Sequence, residues 1–139
     1  MQIRQVTPRY SVSPQIAPED MEAIRAHGFT TVICNRPDEE NPPDWQAAAM
    51  AEAAKAAGLD FVVIPLTHQT MTPDNIARQD AAVTGSDGPT LAYCASGTRS
   101  TVIWSLARAA EGMSADEILK TAAEAGYDLS GLRPRLEQG

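Results

Sequence analysis

Cys94 is followed by Ala95-Ser96-Gly97-Thr98-Arg99-Ser100, a run of small and hydroxyl-bearing residues with one glycine and a terminal arginine. The apolar segment Thr90 to Tyr93 precedes it, and Val102, Ile103, Leu106, Ala109 and Ala110 follow at helical spacing. A loop of this composition between a strand end and a helix start can curl so that successive backbone N–H groups face one point, forming an anion nest. The first turn of the helix adds unpaired N–H groups and the positive end of its dipole. Arg99 adds a fixed charge whose forked donors match a tetrahedral oxyanion. Each of these favours a thiolate over a thiol at Cys94, which would make it an activated nucleophile beside an anion cradle. Cys94 is therefore the expected nucleophile, and Ala95, Ser96, Gly97, Thr98 and Arg99 are the expected anion ligands. Ser100 stands where its hydroxyl can bond the Cys94 sulfur and help it leave a thiophosphate, or where it simply starts a helix.

Other residues are candidates to assist this loop. His68 lies in the polar stretch Leu66 to Met71 and can donate a proton near neutral pH. Asp74 is the nearest acid after that stretch, 20 residues before Cys94, although an acid in the first turn of a helix needs no catalytic duty. Asp60 begins a strand and so falls at the wrong edge of a sheet. Arg36 sits with Asp38, Glu39 and Glu40 in a charged turn, where an arginine–carboxylate prop is its natural role. Cys34 ends another apolar strand and is either a resolving thiol for an oxidised or persulfidated Cys94 or a core residue. Trp45 and Trp104 are expected in the core.

The elements that must position these groups alternate between strand and helix. Ile3 to Val6 and Tyr10 to Val12 predict a small hairpin or edge pair across Thr7-Pro8-Arg9. Phe29 to Cys34, Phe61 to Pro65 and Thr90 to Tyr93 are short, apolar and β-branched, as buried strands are. Helices are expected from Pro18 to Gly28, from Trp45 to Ala57 with Asp44 as cap, and from Pro73 to about Val83 with Thr72 as cap. Further helices are expected from Ser100 to Gly112, from Ala115 to about Ala125 behind the capping box at Ser114, and around Leu129 to Leu136. The pattern is that of a three-layer α/β domain, a central, mostly parallel sheet flanked by helices, with residues 1–139 as a single domain. Ligands of such folds sit at the carboxyl ends of the strands, which is where Cys34, His68 and Cys94 should meet.

The order Ser13-Pro14-Gln15-Ile16, Gly28-Phe29, Asn35-Arg36-Pro37-Asp38, Gly58-Leu59, Ile64-Pro65 and Tyr93 to Ser100 resembles the phosphatase-like domain of beta-lactamase-hydrolase-like proteins. That bacterial family is similar in fold to dual-specificity phosphatases, and its members are free-standing or fused to a metallo-hydrolase domain. The resemblance implies a cysteine-phosphatase-like fold, Cys94 as nucleophile, the loop to Arg99 as anion site, and no metal or other cofactor. The spacing here is C-x4-R, where the phosphatase signature is C-x5-R, and no acid lies between Leu66 and Met71. The short loop is also similar to that of rhodanese-type sulfurtransferases, whose cysteine carries a persulfide. Three functions follow: a cysteine phosphatase acting on a small phosphomonoester, a sulfurtransferase linked to a metallo-hydrolase of sulfur metabolism, or an anion-binding module without catalysis.

Composition narrows the partners. In 139 residues, 43% are hydrophobic and 21% charged, as in an ordinary globular domain able to bury about two-thirds of its unfolded surface. The net charge of −7 argues against nucleic acid and anionic membranes, so an anion must be held by a local site against the global field. Two cysteines and two separated histidines exclude a disulfide scaffold and a structural zinc site. The N-terminus lacks an apolar h-region, which makes the cytoplasm the expected compartment.

Overall fold

The computed structural model describes residues 1–138. Five strands, β1 (Arg4–Thr7), β2 (Tyr10–Ser13), β3 (Thr31–Cys34), β4 (Asp60–Val63) and β5 (Thr90–Tyr93), form one sheet in the order β1-β2-β5-β3-β4. The β1–β2 hairpin pair is antiparallel; β2–β5, β5–β3 and β3–β4 are parallel. The expected mostly parallel α/β architecture is therefore present, and so is the hairpin expected across Thr7-Pro8-Arg9, which joins the sheet at one edge. Its second strand, Tyr10–Ser13, lies between β1 and β5, which explains why all four of its residues are buried. One expectation changes. The second apolar segment, expected to be buried, is the edge strand β4, and its Val63 is 38% exposed.

Period-two alternation divides the central strands between two cores. Val32 and Cys34 of β3, with Leu91 and Tyr93 of β5, face Ile16, Met21, Ile24 and Met50. Helices α1 (Met21–Ala26) and α2 (Ala47–Ala56) close that side. Ile33, Ala92 and Val12 face the other core, built from α3 (Pro73–Thr84), α4 (Thr98–Ala110), α5 (Ala115–Glu124) and α6 (Arg133–Gln138).

Helix boundaries follow their caps. Thr72 accepts the N–H of Asn75 and Ser114 that of Glu117, as the sequence predicts. Asp44 does not cap α2. That helix starts later, at Ala47, whose N–H is accepted by Asp38 Oδ1 at 2.8 Å across the two short 3-10 turns of the charged loop. Trp45 consequently sits in a turn and is 39% exposed, whereas Trp104 is buried. Helix α4 begins at Thr98, two residues before the expected start, so Arg99 and Ser100 belong to its first turn. It is the central helix, buried from Ser100 to Ala107, and two of its inward hydroxyls are paired locally. Thr101 Oγ1 donates to the Gly97 carbonyl at 2.8 Å and Ser105 Oγ to that of Thr101 at 2.9 Å.

Candidate functional site

The carboxyl ends of β2, β3, β4 and β5 lie along one edge of the sheet because these strands are parallel. The segments that leave them, Pro14-Gln15, Asn35-Arg36, Ile64 to Met71 and Cys94 to Gly97, are therefore neighbours. Leu66 donates its N–H to the Asn35 carbonyl at 2.8 Å, and Gln15 donates its own to the Ala95 carbonyl at 3.3 Å.

Cys94 is buried at the foot of its loop, and the Gly97 N–H points at its sulfur, 3.1 Å away. The turn that allows this needs glycine. Gly97 has φ +91°, and a Cβ there would overlap the Tyr127 hydroxyl. That hydroxyl in turn donates to the Ser96 carbonyl at 3.0 Å, clamping the outer side of the loop. Ser96 and Thr98 are tied by their hydroxyls at 2.9 Å, while Ala95 and Ser96 form an exposed rim. Among the described residues, the N–H groups of Ala95, Ser96, Arg99 and Ser100 have no protein acceptor. The loop thus combines one N–H on the sulfur with four unspent donors at a helix start.

Arg99 is held before any ligand arrives. Nη1 and Nη2 donate to the two carboxylate oxygens of Glu40, both at 2.8 Å, and Nη1 also donates to the Leu66 carbonyl at 2.8 Å. Three of its five N–H donors are thereby fixed, leaving Nε–H and one Nη2 hydrogen. Arg36 braces the same carboxylate through Nε at 3.1 Å and reaches Gln15 through Nη1 at 3.2 Å. The hydrogen bond from Arg99, followed by that from Arg36, holds the Glu40 carboxyl below the usual carboxylate range despite partial burial. Glu40 raises the Arg99 guanidinium correspondingly, and the nearby Cys94 sulfur adds to this. The arginine–carboxylate prop expected at Arg36 exists, and Arg99 shares it.

Several candidates take places other than those expected. Ser100 does not bond the Cys94 sulfur: its Oγ donates to Asn35 Oδ1 at 2.8 Å inside the core. Asp38 is spent on capping α2. Cys34 lies in the core on the α1–α2 side and donates to the Arg36 carbonyl at 3.4 Å; burial pushes its thiol pKa up, and both cysteines are free thiols. His68 and Asp74 are exposed, and neither side chain has a hydrogen-bond partner among the described residues. Sequence reasoning overlooked the Glu40–Arg99 pair, the Tyr127 clamp and the amides of Asn35 and Gln79. Among the described residues, Glu40 is the one acid bonded to this segment, through Arg99. Among the described residues, no three His, Cys, Asp or Glu side chains are grouped to hold a metal, and no helix is long and apolar enough to cross a membrane.

Known proteins share this arrangement of chain. The family model described as beta-lactamase hydrolase-like protein, phosphatase-like domain, matches residues 2–111. A beta-lactamase hydrolase-like protein of Agrobacterium fabrum is 29% identical over 139 residues, which is 99% of this chain and 32% of that protein. This chain therefore spans about a third of the length of that curated relative. The crystal structure of a candidate phosphatase from Neisseria meningitidis superposes with a TM-score of 0.87 at 35% identity, covering 99% of this chain and 98% of its own. Tk-PTP in its active form shares the fold, with a TM-score of 0.72 at 14% identity over 99% of this chain and 94% of its own.

Proposed function

The chain belongs to the phosphatase-like-domain family of beta-lactamase hydrolase-like proteins, and from that premise we propose that it is a metal-independent hydrolase of small phosphomonoesters with Cys94 as nucleophile. The observation that carries this is the Gly97 N–H, 3.1 Å from the Cys94 sulfur, in a loop that also offers four unspent N–H donors and a braced Arg99. Those donors hold the non-bridging oxygens of the phosphoryl group, and the Cys94 thiolate attacks phosphorus. The bond from phosphorus to the ester oxygen breaks, and that oxygen leaves with a proton from His68, with Asp74 as the alternative donor. Water then attacks the phosphocysteine, the sulfur–phosphorus bond breaks, and inorganic phosphate and the thiolate are released. Ser100 stays out of this step, since its hydroxyl is committed to Asn35.

Phosphate release from an aryl phosphomonoester tests the assignment. Parent protein should turn over, Cys94→Ser should not, and His68→Ala should slow esters with poor leaving groups by about 10²–10⁴-fold while sparing those with good ones. Equal slowing of both ester types would remove His68 as the proton donor and move Asp74→Asn to the front.

A second chemistry is favoured by a different observation. Only four residues separate Cys94 from Arg99, and the one carboxylate bonded there among the described residues, that of Glu40, is already spent on Arg99. Sulfur transfer needs no strong acid. The Cys94 thiolate would attack the sulfane sulfur of thiosulfate, expel sulfite and pass the persulfide sulfur to an acceptor thiol. The expected link to a metallo-hydrolase of sulfur metabolism belongs with this chemistry. Thiosulfate-dependent sulfite release without ester turnover would establish it in place of phosphatase action. Binding of oxyanions with neither turnover would leave an anion-binding module.

A further inference from the structure

Beneath the anion loop lies a buried polar chain that no step above uses. Asn35 and Gln79 form a reciprocal amide pair: Asn35 Nδ2 donates to Gln79 Oε1 at 2.8 Å, and Gln79 Nε2 returns to Asn35 Oδ1 at 3.0 Å. Asn35 Nδ2 also donates to the Ile64 carbonyl at 2.9 Å, and Ser100 Oγ donates to Asn35 Oδ1 at 2.8 Å. Gln79 Nε2 gives its second hydrogen to the Tyr10 hydroxyl at 3.1 Å, and that hydroxyl donates to the Ser100 carbonyl at 2.7 Å. Asn35 and Ser100 are fully buried, with Tyr10 at 1% and Gln79 at 2% exposure.

We propose that Tyr10, Gln79 and Asn35 are positioning residues for the anion loop, acting through Ser100. Two features single them out from ordinary core polarity. The chain grips Ser100 at both its side chain and its carbonyl, directly after Arg99, and so fixes the rotation of the first turn of α4. That turn carries the unspent N–H groups of Arg99 and Ser100. Both hydrogens of each amide and the tyrosine proton are committed, so neither amide can flip without leaving a buried donor unpaired. The bonds close a ring on Ser100 that draws on β2 through Tyr10, on α3 through Gln79 and on the end of β3 through Asn35. The fold thereby transmits the positions of three elements to one helical turn. An apolar core would exclude water there equally well but would not fix the rotation of that turn.

The inference rests on the anion-site assignment of the loop, though not on which reaction occurs there. The test uses tungstate as a tetrahedral oxyanion, with affinity measured by calorimetry on the parent, Tyr10→Phe, Gln79→Leu and the control Val32→Ala. Val32 is fully buried in the core on the opposite side of the sheet, so its truncation loosens the fold without touching the network. Tyr10→Phe keeps the ring and its packing, and serves if Gln79→Leu fails to fold. Tyr10→Phe and Gln79→Leu should each weaken tungstate by about five- to tenfold, from misdirected N–H donors, while Val32→Ala binds as the parent does. A second readout follows Cys94 alkylation by mass mapping, as the rate with anionic iodoacetate relative to neutral iodoacetamide. That ratio should fall in parallel with tungstate affinity. Network variants that match the parent within twofold in both readouts would overturn the proposal, as would a Val32→Ala loss equal to theirs. A parent protein that binds no tungstate and shows no iodoacetate preference would instead overturn the anion-site assignment, and this proposal with it.

Discussion

Two neighbouring parallel strands, β3 and β5, each run out at a cysteine, and the chain that follows each one is different. Cys34 closes β3 and Cys94 follows β5; both are buried free thiols on adjacent strands. Cys34 packs among the apolar side chains of the α1–α2 core, donates to a carbonyl, and has its thiol pushed up by burial. Cys94 instead receives an N–H, and the chain after it turns through a left-handed glycine into the first turn of α4. After Cys34 the chain enters Asn35-Arg36 and a run of acids, which supply carboxylates rather than N–H donors. The distinction lies in register, since Cys34 pairs with Tyr93 and Cys94 comes one residue later, and in the six residues after each sulfur; it does not lie in burial. One strand end supplies the loop proposed to bind the anion, and the other supplies groups that hold Arg99 and Ser100 beside it: Asn35 on Ser100, Glu40 on Arg99, and Arg36 on Glu40.

The sharpest way to break this contrast is to exchange each sulfur for oxygen. Cys94→Ser should lower ester or sulfur turnover by at least about a thousandfold, while Cys34→Ser leaves turnover unchanged. Comparable losses in both would show that the two thiols work as a pair. Next in size is Gly97→Ala, which must accept a left-handed backbone and an overlap with the Tyr127 hydroxyl. Denaturant unfolding should show a loss of about 2–4 kcal/mol, with tungstate binding abolished.

A smaller effect is expected from Glu40→Gln, which frees Arg99 and Arg36 from their shared carboxylate. Oxyanion affinity should fall several-fold. Because the Glu40 side chain is a third exposed, stability should drop by only about 1 kcal/mol or less at neutral pH. Folding lowers the Glu40 pKa, so the ionised carboxylate is the form that stabilises. Its contribution is complete above the ordinary carboxylate range and is lost as pH falls through the lowered value. Parent and Glu40→Gln stabilities should therefore converge on acidification; a gap that widens in acid would contradict this assignment. The smallest effect on the site is that of Asp38→Ala, which removes the α2 cap and acts on stability alone. About 0.5–2 kcal/mol should be lost, with turnover unchanged.

The fold was legible because its signals are local. Apolar runs at Thr31–Cys34 and Thr90–Tyr93, and caps at Thr72 and Ser114, need only neighbouring residues to be read. The loop from Cys94 to Arg99 was legible for the same reason: strand, glycine, arginine and helix occur within one short segment. The cap of α2 was not, because Asp38 reaches across two turns to Ala47, past the nearer Asp44. The pair joining Glu40 to Arg99 spans 59 residues, and the hydrogen bond from Ser100 to Asn35 spans 65. Such contacts leave no periodic trace in a single sequence. Ser100 shows the consequence. Its place after Arg99 suggested a bond to sulfur, but its position in the first turn of α4 directs the hydroxyl into the core.

Rapid-quench intact mass of the parent protein, taken during incubation with an aryl phosphomonoester and separately with thiosulfate, bears most directly on Cys94 as a phosphatase nucleophile. A transient gain of one phosphoryl group that maps to Cys94 and decays as phosphate appears is the predicted result. A stable gain of one sulfur on Cys94 from thiosulfate, discharged by a thiol and with no phosphoryl adduct from the ester, would contradict it.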